Sequence, residues 1–137
     1  MHKLPRFLFF LIFIGFAPIS AQKSTIYTHD LKDFNTALTL YNDKQYISAK
    51  LIFEKVKATA TTEEIQSDCA YYAANCAIRT NQSNADELME RFVADYPSSL
   101  YFDDAVEMLA LYNIKNSNFE QASLALQKLG KLSPIFQ

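Results

Sequence analysis

Beyond residue 21, apolar and polar residues follow one another along the chain with the period of an α-helix. No segment keeps the two-residue alternation of a half-buried strand for long enough to form one. The pattern predicts six helices, over residues 30–42, 46–59, 63–80, 84–96, 101–115 and 118–130. We therefore expect an all-α fold.

Capping residues mark several of the predicted helix ends. Thr61 with Glu64 forms a capping-box pattern before the third helix, and Asn84 and Asn118 are candidate N-caps for the fourth and sixth. Pro97 follows the fourth helix and cannot continue it. These signals divide the six helices into three pairs, each joined by a short polar link.

The three pairs share a common spacing. In each pair, one alanine of the first helix lies twelve residues before an alanine of the second, and a large apolar residue follows four residues later. The alanine pairs are Ala37 and Ala49, Ala73 and Ala85, and Ala110 and Ala122, and the large residues are Phe53, Met89 and Leu126. A small residue in each helix lets the two backbones approach closely. The spacing predicts three helix hairpins that stack as a right-handed solenoid.

This pattern resembles tetratricopeptide repeats, which are helix-turn-helix units of about 34 residues. The resemblance covers residues 30–134, in three units. The units are residues 30–61, 62–97 and 98–134, with an N-terminal extension at 22–29 and a tail at 135–137. The small residues match in all three units, and the closing proline matches in two, as Pro97 and Pro134.

The chain departs from the family early in the first helix of each unit. An aromatic residue is expected there, and Asp33, Cys69 and Val106 stand in its place. The family resemblance implies a non-enzymatic scaffold that binds a protein or peptide on its concave surface.

The N-terminus has the order of a secretory signal peptide. Lys3 and Arg6 precede the apolar run FLFFLIFIGFA at residues 7–17, and Ser20-Ala21 supply small residues before the expected cleavage site. The run is shorter than the roughly 20 residues that a membrane span needs. We therefore predict a signal peptide over residues 1–21 and export to the periplasm or outer envelope.

Two short segments resemble one group of proteins within this family. Residues 42–49, NDKQYISA, and residues 95–99, DYPSS, are similar to segments of exported repeat proteins of bacterial envelopes. Those include outer-membrane assembly lipoproteins and periplasmic cell-division coordinators. No cysteine lies near the predicted cleavage site, so the chain lacks the attachment residue of a lipoprotein.

Charge and composition exclude several classes of partner. The full sequence has a net charge of −2, and loss of Lys3 and Arg6 with the signal peptide makes it −4. Both signs are interspersed, so the chain has neither the basic stripe of a nucleic-acid-binding protein nor the polybasic patch of a membrane-surface protein. We expect no nucleic-acid partner and only indirect contact with a membrane. With two glycines, the chain also lacks a Gly-rich phosphate-binding loop.

Cysteine chemistry is predicted to be absent. Cys69 and Cys76 lie seven residues apart in one predicted helix, about 10 Å along its axis. A disulfide needs Cα atoms within roughly 7 Å, so the two cannot pair within one chain. We interpret both as buried structural thiols, with an intermolecular disulfide as the alternative.

The acidic and histidine clusters also have a structural interpretation. His29, Asp30 and Asp33 come just before or within the start of the first predicted helix, where acids complement the helix dipole. The same holds for Glu63-Glu64 and Asp103-Asp104. A metal site or a nucleophilic pair would need more ligands or a second histidine, so we predict no metal, no cofactor and no enzymatic activity.

The first, third and fifth helices are predicted to line the concave surface. By the register of the repeat, Tyr71 projects toward this surface and Tyr72 faces the interior. The surface combines apolar and polar side chains: Phe34, Leu38, Tyr41, Asn42, Tyr71, Asn75, Glu107, Leu111 and Lys115. Such a surface suits an extended or helical peptide rather than a small-molecule substrate. The alternative is that Phe34 and Leu38 simply pack beneath residues 22–29 or beneath a missing cap.

The C-terminal end leaves a further alternative open. A polar capping helix normally closes a solenoid, and none follows Gly130 in the sequence. Ile135 and Phe136 fold back over the last repeat, or the protein associates there into a homo-oligomer, or the sequence is the start of a longer repeat array. In the last two cases the chain is a structural segment without a groove ligand of its own.

Overall fold

The computed structural model describes the backbone of residues 20–132 and the side chains of residues 29–130. This part of the chain is all-α and contains no strand. The helices are α1 (Ser20–Asn42), α2 (Tyr46–Thr59), α3 (Glu63–Arg79), α4 (Ala85–Asp95), α5 (Phe102–Lys115) and α6 (Phe119–Leu132). The predicted all-α class and the number of helices are confirmed for the described residues.

The first helix begins earlier than predicted. It starts at Ser20, so the segment 22–29 is helical and not a separate extension. The sequence between Ser20 and Asn42 contains neither glycine nor proline, and nothing in it interrupts the helix. Of the predicted signal peptide, residues 1–19 lie outside the described residues, as do Pro134 and the tail 135–137.

The ends of the other helices follow the predicted signals closely. The N-cap of α3 is Thr62, one residue later than expected, and its hydroxyl accepts from the amide of Ile65 at 3.5 Å. Asn84 is the N-cap position of α4, without a side-chain capping hydrogen bond. The helix ends at Asp95, two residues before Pro97, as a proline requires.

The links within the three helix pairs have one geometry. Each contains a residue with a left-handed backbone: Lys44 (φ 62°), Asn81 (φ 53°) and Ser117 (φ 62°). In each link the following amide donates to a carbonyl five residues back, with N–O distances of 2.8, 3.0 and 2.8 Å. This is the Schellman motif that satisfies the last carbonyls of a helix. Non-glycine residues hold all three left-handed positions, which explains how the chain turns with so few glycines.

The helices pack in chain order, each against the next. Contacts also join alternate helices. Helix α3 touches α5, and Phe34 of α1 lies edge-on to Tyr72 of α3 with ring centroids 6.2 Å apart. Helices α1, α3 and α5 therefore lie side by side. All six alanines of the predicted pairs are buried, as their role at the helix crossings requires.

Two clusters of buried side chains form the core, and α3 belongs to both. Its residues Ile65 and Cys69 pack with α1 and α2 in the first cluster. Its residues Ala70 and Ala74 pack with α4, α5 and α6 in the second. Tyr72 is half-buried and packs against both clusters. The two clusters are therefore continuous through one helix.

The left-handed links predict a stabilising substitution. A side chain at such a position costs about 1–2 kcal/mol, and glycine removes this cost while making the unfolded chain more flexible. We expect Ser117→Gly to raise the free energy of unfolding by about 0.5–1 kcal/mol. Urea denaturation followed by far-UV circular dichroism measures this difference.

The control is glycine at an exposed position inside a helix. Ser123 lies on the surface of α6, and Ser123→Gly should lower the free energy of unfolding by about 0.5 kcal/mol. If both variants lost the same free energy of unfolding, the backbone at Ser117 would not be strained.

Candidate functional site

The nine predicted surface residues lie on α1, α3 and α5, but they differ in exposure. Seven lie on α1 and α5 with side chains that are exposed or half-buried and available to a partner. The exposed residues are Asn42, Glu107, Leu111 and Lys115, and the half-buried ones are Phe34, Leu38 and Tyr41. Tyr71 and Asn75 are buried. The structure therefore brings seven of the nine to the accessible surface.

The expected projection of Tyr71 is wrong. The residue is only 7% exposed. Tyr101, from the link between α4 and α5, stacks on its ring with centroids 4.4 Å apart and planes 7° from parallel. Phe92 of α4 packs against the ring at 5.6 Å. Tyr71 therefore belongs to the second core cluster and is not part of an open groove.

Asn75 is the centre of an internal polar network. It is 2% exposed, and its Nδ2 donates to the Tyr71 hydroxyl at 3.3 Å. Its Oδ1 accepts from the Tyr41 hydroxyl at 3.0 Å and from Nε of Arg79 at 2.7 Å. Buried polar groups need such partners, so Asn75 joins α1 to α3 and cannot also bind a ligand.

Arg79 is the surface residue that sequence analysis missed. Its Nε also donates to the Tyr41 hydroxyl at 3.1 Å, and its guanidinium lies over the rings of Tyr41 and Tyr46 at 5.7 and 5.5 Å. The side chain is exposed but held in one orientation by these contacts. A positional signal existed, because Arg79 precedes the left-handed residue of its link by two residues, as Asn42 and Lys115 do in theirs.

Aromatic rings connect this network to the core. Tyr72 stacks on Phe53 of α2 with centroids 5.1 Å apart and planes 15° from parallel. It also meets Tyr41 edge-on at 5.2 Å and Tyr101 at 5.5 Å. Such contacts add about 0.5–1.5 kcal/mol each beyond area burial. The surface of α1, α3 and α5 therefore rests on a rigid aromatic layer.

The two cysteines are fully buried thiols, as predicted. Burial raises the pKa of Cys69 to about 12 and that of Cys76 to about 11, since a thiolate loses its hydration inside the core. A thiol is nucleophilic only as the thiolate, so neither side chain is set up for catalysis in the folded chain.

The acidic and histidine residues take structural positions. His29 pairs with Asp33 at 3.6 Å, and Lys55 of α2 pairs with the same carboxylate at 3.3 Å. Asp30 is buried and accepts from the Thr59 hydroxyl at 3.2 Å. Among the residues that the structure describes, no three metal-binding side chains are grouped.

Two of the concave regions on the described part of the chain are formed by several elements together, so no single helix pattern predicts them. A cleft of about 630 Å³ lies between the start of α3 and the α4–α5 link, and its lining includes Glu63, Asp68, Asp95 and Tyr96. Burial raises the pKa of Asp68, and the neighbouring Glu64 raises it further. An apolar groove of about 480 Å³ lies on α5 and α6.

Comparison with protein-family models, curated proteins and solved structures gives no significant match for this chain. Within residues 20–132, no helix combines the length and the hydropathy required to cross a bilayer. A functional assignment therefore depends on the residues described above.

The hydrogen-bond network of Asn75 predicts that replacing this buried residue lowers the free energy of unfolding substantially. Asn75→Ala removes three hydrogen bonds and leaves the Tyr71 hydroxyl without its amide donor, so we expect the free energy of unfolding to fall by about 1–3 kcal/mol. The matched control is Asn42→Ala, an exposed asparagine on α1, with an expected change within about 0.5 kcal/mol. If chemical denaturation showed a similar fall in the free energy of unfolding for both variants, the structural role would not be specific to Asn75.

The buried thiols predict a loss of stability in alkali. An unfolded thiol ionises near pH 9.0, whereas the folded thiols keep their protons to about pH 11–12. Their contribution is therefore complete below pH 9 and decreases as the pH rises above it, by up to about 1.4 kcal/mol per pH unit for each thiol. Denaturation midpoints between pH 8 and pH 11 measure the slope.

A double variant, Cys69→Ala with Cys76→Ala, isolates the thiol contribution. Its stability should fall less steeply with pH than that of the parent chain. Identical slopes would show that the thiols are not the groups responsible.

Proposed function

We propose that this chain is a non-enzymatic scaffold of the tetratricopeptide type that binds a protein or peptide partner in the bacterial cell envelope. Two features support a right-handed solenoid. The three links share one hydrogen-bonded geometry, with left-handed residues 37 and 36 positions apart. The first helices of the three pairs also lie side by side, as stacked hairpins require.

The observation that carries the binding proposal is an ordered row of polar side chains beside an apolar strip. Asn42, Arg79 and Lys115 occupy the same position at the ends of α1, α3 and α5, and Leu111 is exposed one turn before Lys115 on α5. Because Arg79 is already fixed against Tyr41, little side-chain entropy is lost when a partner binds it. The proposed partner segment carries apolar side chains together with carboxylate or carbonyl acceptors.

Export to the envelope is part of the proposal. Its support is the order of residues 1–21, in which basic, apolar and small residues follow one another. With this segment removed, the scaffold acts in the periplasm or at the outer envelope, and it contacts membranes only through its partner.

A second candidate function has its own observation. Phe119 is 65% and Leu126 is 45% exposed on α6, which is unusual for large apolar residues at repeat positions. This exposure favours a structural segment of a larger array or of a homo-oligomer, without a partner on α1, α3 and α5. The two candidates use different surfaces and are separable by mutation.

Affinity capture tests the partner surface. The full chain with a C-terminal tag, produced in a bacterium with an inner and an outer membrane, is lightly cross-linked and purified from the envelope fraction. We expect a specific protein to be recovered and its yield to fall at least tenfold with the double variant Arg79→Ala and Leu111→Ala. Leu111 is exposed, whereas Arg79 also bonds Tyr41 and Asn75, so chemical denaturation of the double variant must show that the lower yield does not come from lost stability.

The matched control changes the same residue types on α2 and α4. Arg91 and Leu51 are exposed there, and Arg91→Ala with Leu51→Ala should leave the yield unchanged. Equal recovery with both double variants would rule out the surface of α1, α3 and α5 as the binding site.

A further inference from the structure

The cleft at the start of α3 is lined by negative charge that the fold does not neutralise. Four carboxylates contribute to its lining, those of Glu63, Glu64, Asp68 and Asp95. None of them forms an ion pair with another residue that the structure describes. A concave surface that carries charges of one sign focuses the electric field and concentrates ions of the opposite sign. The cleft therefore favours a positively charged ligand.

One of these acids is partly removed from water. Asp68 is half-buried, and burial together with the neighbouring Glu64 raises the pKa of its carboxyl. The charged form of Asp68 is thus disfavoured in the free protein, and a cation bound beside it would stabilise that form. An acid that is perturbed in this way inside a cleft is a common mark of a functional site.

The carboxylates are distributed around the cleft and do not meet at one point. Glu63, Glu64 and Asp68 belong to α3, whereas Asp95 is the last residue of α4. Among the residues that the structure describes, no three metal-binding side chains are grouped. The cleft has a volume of about 630 Å³, which is large enough to admit a long side chain. An organic cation that spreads its charge over several atoms fits this arrangement better than a metal ion.

A lysine of the chain shows that one wall of the cleft attracts positive charge. The Nζ atom of Lys57 on α2 lies 5.8 Å from the centroid of the Tyr96 ring, and Tyr96 is part of the lining. The attraction comes from the negative face of the ring. A guanidinium can stack on such a ring and also donate two parallel hydrogen bonds to a carboxylate, whereas an ammonium is a point charge. Arginine is therefore the basic side chain that suits both parts of the lining.

An exposed apolar residue lies beside the charged part of the cleft. Leu100 belongs to the lining and is 96% exposed, so it lies at the mouth of the cleft. Pro97 adds a second apolar side chain. A ligand that also covers Leu100 needs an apolar group next to its cation. A protein segment in which a large apolar residue follows an arginine provides this combination.

We propose that this cleft binds an arginine side chain of a separate protein, with the next residue of that protein, a large apolar one, packed on Leu100. The guanidinium pairs with the carboxylates of the lining and lies against the ring of Tyr96. The site is at the opposite end of α3 from Arg79, so it does not depend on the partner surface of α1, α3 and α5.

Peptide titration tests this proposal. The probe is a fluorescein-labelled peptide with the sequence Gly-Gly-Arg-Leu-Gly-Gly, which is titrated with the full chain at low salt and followed by fluorescence anisotropy. We expect saturable binding that is at least tenfold weaker when citrulline, which has the shape of arginine without its charge, replaces the arginine. Serine in place of the leucine should weaken binding at least threefold.

Two double variants of the full chain locate the site. Glu64→Gln with Asp95→Asn should weaken binding of the arginine peptide at least tenfold. Glu120→Gln with Asp86→Asn removes the same two charges from the starts of α6 and α4, and it should leave binding unchanged. Chemical denaturation of both variants checks that the fold is retained.

Lys57 provides a test in the opposite direction. Its ammonium competes with the ligand for the Tyr96 ring, so Lys57→Gln should strengthen binding of the arginine peptide about threefold. Lys55→Gln is the control, because Lys55 is exposed on the same helix but pairs with Asp33. This control should leave the affinity unchanged.

Three results would overturn the proposal. Equal affinity for the arginine and citrulline peptides would show that the cleft does not recognise the charge. Equal weakening by the two double variants would show that only the net charge of the chain matters. Tighter binding of the same peptide with lysine in place of arginine would exclude a site built for a guanidinium.

Discussion

The burial of α3 on two sides is the constraint on which the rest of the structure depends. One side of this helix completes the core with α1 and α2, and the other side completes the core with α4, α5 and α6. Alanines and cysteines make this feasible, because small side chains on both sides allow neighbouring helices to approach closely. Tyr72 fills the space between the two cores, stacked on Phe53 and with its hydroxyl 3.5 Å from that of Tyr101.

The candidate surface is a consequence of that arrangement. Helices α1 and α5 lie beside α3, so polar residues at one position of each link fall into a single row. Asn75 joins α1 to α3 through its bond to Tyr41, and it bonds Arg79 within α3. The same bonds that stabilise the helix contact therefore orient the guanidinium that faces solvent. Some residues therefore contribute both to the stability of the fold and to the proposed partner binding. Only exposed residues such as Leu111 contribute to binding without contributing to the core.

Much of the fold could be predicted from the sequence because its determinants are local. The helical period, the paired alanines and Pro97 each act within a few residues. Five of the six helices lie within two residues of their predicted bounds, and α1 begins ten residues earlier than predicted. The left-handed turns at Lys44, Asn81 and Ser117 were harder to predict because none is a glycine. These turns are recognised from their backbone hydrogen bonds, which the pattern of apolar and polar side chains does not encode.

The candidate site was predicted less well, for reasons of register and of long-range contact. The alanine spacing aligns Ala73 with Ala37 and Ala110, whereas the link geometry aligns Ala74 with them. One residue turns a helix by about 100°, enough to move a side chain from surface to core. Tyr71 is covered by Tyr101, which lies in a link between pairs and outside any helical period. Arg79 matters through Asn75, a partner that periodicity does not connect to it.

The packing of each helix on its neighbours in sequence also affects how fast the chain folds. Contacts that join residues close along the chain cost little loop-closure entropy, and domains rich in such contacts fold within microseconds to milliseconds. A hairpin can form as soon as its second helix is available, and α3 then links it to the next. Amide hydrogens should accordingly exchange slowest in α3, which packs against α2, α4 and α5, and faster in the terminal helices α1 and α6, each of which packs mainly against one neighbour.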